Sequence, residues 1–265
     1  MDGIQFALPR PGPAVKALLI ALGVCAVVEG FLANWVSHGG ELIGAVTLVP
    51  EDVLHRPWTL VTTFFVTDPH SYSHVLFSLI GLYFLGSALE PHWGAPRFLR
   101  FVALVSTLSY TLAAGIALVS PKGNALLSPP YMIGPDAALT ALALAFGREF
   151  PTRVIRLFFV IPVSGKVIVW ITVGFALLGL VLASSTYEGT TTRIAAVGFA
   201  FLLAGTPSPA RALYLRVKLW FLRRRGGGAA SRGPAPIARK RGTASLRVVR
   251  GGLDDEDRPP KDQLN

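Results

Sequence analysis

Histidines, carboxylates and hydroxyls set among apolar residues are the groups of this chain able to do chemistry, and their spacing restricts what that chemistry can be. All five histidines, His38, His55, His70, His74 and His92, fall in the first 92 of 265 residues. His74 and Ser78 are four apart, which places them on one face of a helix. Farther on, Gly134-Pro135-Asp136-Ala137 puts a carboxylate at the head of an alanine-rich apolar stretch. A serine nucleophile needs a base to take its proton, and no histidine follows His92. Ser128, between Leu127 and Pro129, precedes the turn and has no base in its neighbourhood of the sequence. Aspartyl-protease chemistry would need a second membrane-embedded aspartate in a G-x-G-D context, and there is none. The single cysteine, Cys25, excludes an intrachain disulfide and a cysteine-based zinc site. No metal or cofactor is called for. Two roles remain for Asp136. It can cap the helix that follows, where a carboxylate meets free N–H groups and the positive end of the dipole, or it can share a wet cavity with His74 and bind the polar backbone of another segment.

The elements that position these groups are membrane helices. Hydrophobic residues make up 52% of the chain, charged ones 15%, and the mean hydropathy is +0.52; such values exceed those of a soluble domain, and the apolar residues come in blocks of spanning length. Six spans are expected: Val15 to Trp35, Ser73 to Leu89, Phe98 to Ser120, Asp136 to Phe146, Val167 to Ala183 and Arg193 to Ala204. The first lacks an A-x-A cleavage site and reads as a retained helix. The fourth and sixth are short and draw polar neighbours such as Thr190 to Arg193 into the membrane border. Ala137, Ala141 and Ala145 on the fourth, and Ala196, Ala200 and Ala204 on the sixth, form small-residue faces that let two backbones approach. Arg10 and Lys16, Arg97 and Arg100, Arg148, Arg153 and Arg156, and the tail fall on one side of six crossings; Arg56, Lys122 and Arg193 fall on the other, with Lys166 at the border of the fifth span. Both termini are therefore expected in the cytoplasm.

Of the net charge of +10, the stretch from Arg211 onward carries +9, so the basic pI belongs to a tail and not to a nucleic-acid-binding fold. Residues 206–225 mix Leu, Tyr, Trp and Phe with Arg211, Arg216, Lys218, Arg223, Arg224 and Arg225, a composition suited to a helix on an anionic lipid surface. Residues 226–265 hold no apolar period and read as a disordered basic tail. The expected organisation is a cytoplasmic N-terminus over 1–14, a membrane domain over 15–205, the interfacial helix and the tail. Trp35, Trp58, Trp93, Trp170 and Trp220 read as interfacial anchors.

Three stretches, Pro57-Trp58-Thr59-Leu60-Val61-Thr62-Thr63-Phe64-Phe65, His74-Val75-Leu76-Phe77-Ser78 and Leu85-Gly86-Ser87-Ala88-Leu89-Glu90-Pro91-His92-Trp93-Gly94, make the chain resemble the rhomboid intramembrane protease family, over about Pro57 to Gly205. The resemblance implies an all-α, six-transmembrane helical bundle with both ends cytoplasmic. It also implies a catalytic serine in a G-x-S-G turn at the head of the fourth core helix and a histidine on the sixth. Here Asp136 stands at the serine's place, and Gly198 takes the histidine's when Gly205 is set on the last small residue of that helix's pattern. His74 matches the first histidine of the H-x-x-x-N element that helps bind the oxyanion, with Ser78 at the asparagine position. Glu90 and Gly94 match an E-x-x-x-G element, with the carboxylate expected near Arg97 or Arg100 to fix the loop.

No catalytic residue is therefore assigned. Asp136, Gly198 and Ser78 read as degenerate catalytic positions, and His74, Ser78, Gly134 and Asp136 as candidates for lining a cavity that binds a client. Glu90, Gly94 and Arg97 read as a structural motif. Glu29, near the outer end of the first span, must reach the interface or find a polar partner in the bundle, because a charge in hydrocarbon is costly. The function expected is that of a pseudoprotease that binds transmembrane segments of client proteins; a divergent active rhomboid serine protease is the alternative. Leu89 to Gly94 is also similar to a stretch in Golgi rhomboid-like proteins without catalytic residues, whereas compact length, short loops and high Gly, Ala and Arg content favour a bacterial inner membrane. A small transporter is disfavoured by the lack of repeated halves.

Overall fold

The computed structural model describes residues 10–121, 127, 129–157, 161–181, 190–205 and 209–226. Nine helices are described: α1 (Pro13–Trp35), α2 (Gly39–Val46), α3 (Thr59–Thr62), α4 (Tyr72–Trp93), α5 (Ala95–Val119), α6 (Asp136–Glu149), α7 (Gly165–Val181), α8 (Thr190–Leu203) and α9 (Pro209–Gly226). The six expected spans coincide with α1, α4, α5, α6, α7 and α8 to within a few residues at each end. Among the described residues α1, α4 and α5 are long and apolar enough to cross a membrane, while α7 and α8 are apolar but shorter. The expectation of an all-α fold needs one correction. Strands β1 (Val154–Leu157) and β2 (Ile161–Ser164) form an antiparallel pair between α6 and α7, with Val154 opposite Ser164 and Leu157 opposite Ile161. Branched residues favour extended backbone there, and Pro162 cannot donate a helical hydrogen bond.

The bundle is built around α6. Its Ala137, Ala138, Ala141, Leu142, Leu144, Ala145 and Phe146 are all buried, while Leu139, Thr140 and Ala143 are half-buried along one face. It packs against α4, α5, α7 and α8, and α8 also packs on α5. Ala196 and Ala200 of α8, together with Ala204, have no accessible surface. The small-residue faces thus sit where the pattern placed them, and their lack of side-chain bulk lets two short helices approach closely. Outside this core, Ile20, Val24, Val27 and Phe31 of α1 and Trp170, Phe175 and Leu177 of α7 are exposed, as lipid-facing side chains of a membrane bundle are. Trp93 departs from the anchor reading. It is buried, and its Nε1 donates to Glu149 Oε1 at 3.0 Å.

Two compact units are distinguished, Met1–Lys218 and Leu219–Asn265. The expected interfacial segment forms α9, whose Tyr214, Leu215, Val217, Leu219, Trp220, Phe221 and Leu222 are exposed. The expected tail beyond Gly226 lies outside the described residues, as does Ser128.

Candidate functional site

The turn leading into α6 is held from both sides before it delivers its carboxylate. Gly134 has φ +100, a conformation that side chains resist. Its N–H donates to the Thr63 carbonyl at 3.2 Å, and its own carbonyl accepts from the Tyr110 hydroxyl. Thr63 and Tyr110 are fully buried, so α5 and the segment after α3 hold the turn in one place. Two residues upstream, the Met132 N–H donates to Leu48 at 2.8 Å. Pro135 occupies the cap position without a side-chain bond, and Asp136 is the first residue of α6. The charge of Asp136 suits that end of the helix.

Its carboxylate is paired across the bundle. The Arg193 guanidinium, on the fourth residue of α8, donates to Asp136 Oδ2 at 2.9 Å. The side chains are 29% and 20% exposed, so the pair is sheltered yet reachable. The ion pair opens onto a cavity of about 290 Å³ between α4 and α7, lined by Leu85, Leu139, Thr140 and Phe175 among others. A guanidinium stays protonated and has no acceptor, so it cannot take a proton from a nucleophile. Chemically the arrangement is a charged, threonine-bearing notch in an apolar wall.

The other predicted residues fall elsewhere. His74, in the first turn of α4, accepts from the Asp68 N–H through Nδ1 at 3.3 Å, and neither His74, Ser78 nor Gly134 lines the cavity. Ser78 is buried, and its hydroxyl has no hydrogen-bond partner among the described residues. Gly198 needs correcting. It is exposed, and a Cβ added there would meet nothing within 4 Å, so the position does not face α6 closely. Arg193 is the residue of α8 that reaches Asp136. By charge placement alone Arg193 falls on an outer connection, although its place three residues before Ala196 puts both on the α6-facing side of the helix.

Glu90 also needs correcting. Its carboxylate accepts from the Ala14 and Val15 N–H groups, each at 2.9 Å, and so caps α1, whose own cap residue is Gly12. Arg97 instead donates to the Gly205 carbonyl at 2.8 Å and lies over the Trp93 ring. With φ +79, Gly94 makes the turn between α4 and α5, while His92 and Trp93 both reach Glu149 at the end of α6. The partners of these residues therefore differ from those expected of the motif. Glu29 is buried, and one of its oxygens accepts from both the N–H and the hydroxyl of Thr67 at 2.8 Å. Of its two expected fates, pairing inside the bundle is the one realised.

A family model described as eukaryotic integral membrane protein (DUF1751) matches residues 18–204. The chain belongs to this family. A relative within the rhomboid-like group, rhomboid-like protein 19 of Arabidopsis thaliana, is 32% identical over 96 residues, which is 36% of this chain and 28% of that protein. The match thus spans less than a third of the relative's length. The rhomboid-like assignment read from Pro57 to Gly94 stands, and this rhomboid-like chain is an integral membrane protein. A family described as eukaryotic gives no support to the bacterial inner membrane suggested by composition.

Proposed function

We propose that this rhomboid-like protein crosses the membrane six times with both ends cytoplasmic, and that it holds transmembrane segments of client proteins in the groove between α4 and α7 without cutting them. The Asp136–Arg193 ion pair carries the reading. It joins the head of α6 to α8, where an acyl-transfer enzyme of this architecture needs a nucleophile beside a base. A carboxylate held by a guanidinium is a poor base, and the guanidinium is no base at all. General-base help is worth about 10²–10⁴ in rate. Every histidine of the chain lies at or before position 92. The groove supports binding, since it offers apolar side chains beside hydroxyls and charge. An endomembrane of the Golgi kind is the proposed location.

The test uses purified full-length protein in bicelles. No cleavage of model transmembrane substrates and no labelling by fluorophosphonates are expected. A photoreactive residue at Leu139 should crosslink to an added transmembrane helix, and one at Val27, on the exposed face of α1, should not. Cleavage lost on Ser78→Ala would replace this reading with a serine protease. Equal crosslinking at both positions would remove the groove as the binding site.

A further inference from the structure

Resting on the client-binding reading, we infer that the groove selects transmembrane helices that carry a buried carboxylate, and that Arg193 is the residue setting this preference. The charge distribution favours one sign of visitor. Asp136 heads α6 and Arg193 lies in the first turn of α8. The N-terminus of α6, with its partial positive charge, thus falls on a pair that is itself neutral. The field remaining in the notch is positive. A client carboxylate entering it gains, while a client lysine or arginine meets the same field as a penalty.

The pair is also built for exchange. Asp136 is fixed by its helix and by the anchored turn before it, whereas Arg193 reaches it on a long flexible side chain and is the more exposed of the two. A second carboxylate from the groove can therefore compete with Asp136 for the same guanidinium. Isolated acids in a membrane segment are costly, so a helix that carries one gains a partner here, with Asp136 left at the positive end of α6, whereas an apolar helix gains only its packing on Leu85, Leu139 and Phe175. Thr140 and Thr172 add hydroxyls on the walls that can donate to the incoming acid.

Geometry sets the depth. Asp136 and Glu149 end the same 14-residue helix, about 20 Å apart at 1.5 Å per residue. Glu149, with His92 and Trp93, marks the end that carries Arg148 and Arg153. In a hydrocarbon core of roughly 30 Å, Arg193 then lies about 10 Å below the opposite surface. A client acid should be favoured there and not at the centre or at the other border.

The experiment measures binding of synthetic leucine-rich transmembrane helices to the full-length protein in nanodiscs, with one Glu, Gln or Lys placed at successive depths. At the matching depth the Glu helix should bind at least about tenfold tighter than the Gln helix, the usual worth of a charge-assisted hydrogen bond, and the Lys helix weakest. Arg193→Gln should bring the Glu and Gln helices to the same affinity. Asp136→Asn should raise the Glu preference, because the internal competitor is removed. Helices that bind without regard to charge or depth would overturn the inference and leave the client-binding reading standing. Failure of every helix to bind would end both. A preference for Lys, or a fall in Glu preference on Asp136→Asn, would show that Asp136 and not Arg193 reads the client.

Discussion

Replacing Glu90 by alanine removes the acceptor of two N–H groups that have no other cap. Ala14 and Val15 are buried at 5% and 0% exposure, so their freed N–H groups gain no water. A buried unsatisfied group costs about 1–3 kcal/mol, which makes the loss about 2–6 kcal/mol for the pair. At about 2–4 °C per kcal/mol for a domain of this size, the melting temperature in detergent should fall by roughly 5–20 °C. The structure also specifies a rescue. Gly12 has extended backbone, φ −73 and ψ 176, which any residue adopts; a Cβ there would lie 2.3 Å from Glu90 Cδ. Gly12→Asp should therefore destabilise the natural protein by collision. In the Glu90→Ala background the same aspartate enters vacated space and caps α1 from its own cap position, recovering about 1 kcal/mol. Thermal unfolding followed by tryptophan fluorescence reads all four proteins. If Glu90→Ala melts within about 2 °C of the natural protein, or if Gly12→Asp has the same sign in both backgrounds, the capping argument fails.

Three further outcomes are expected. Glu29→Ala should cost about 2 kcal/mol, because it strands the buried Thr67 N–H, while Glu29→Gln, whose carbonyl oxygen can take both Thr67 bonds, should cost less than half as much; equal losses in thermal unfolding would contradict the pairing. Reporter fusions after Lys122 and after Tyr187 should report the lumenal side, and one after Pro151 the cytoplasm; a tail reporter on the lumenal side would refute six crossings. A peptide of residues 209–226 should bind anionic vesicles, each basic residue contributing about 1 kcal/mol at low salt, and should release as salt rises; undiminished binding to neutral vesicles would refute the electrostatic share.

The positions of the membrane helices were legible in the sequence, because apolar runs and small-residue periods are local properties. A block of leucines and valines must leave water wherever the rest of the chain goes, and alanines four apart face one way on any helix. The rhomboid-like motif, the helix over Pro209–Gly226 and the carboxylate at the head of α6 were legible for the same reason. Partnerships were not. Glu90 could be assigned a structural role from its motif, but its choice of the α1 N-terminus over Arg97 depends on two helices 75 residues apart in sequence lying side by side. The partner of Asp136 depended on which face α8 turns toward α6, and a helix turns about 100° per residue, so a shift of register by a few positions exchanges an exposed glycine for a half-buried arginine. The short strands between α6 and α7 are not legible in the sequence, because a four-residue run carries little periodicity. The sequence alone determined that this chain lives in a membrane and lacks a histidine beyond residue 92. Tertiary packing decided which charges meet, since the energy of an ion pair depends on a few ångströms of separation that no spacing along the chain encodes.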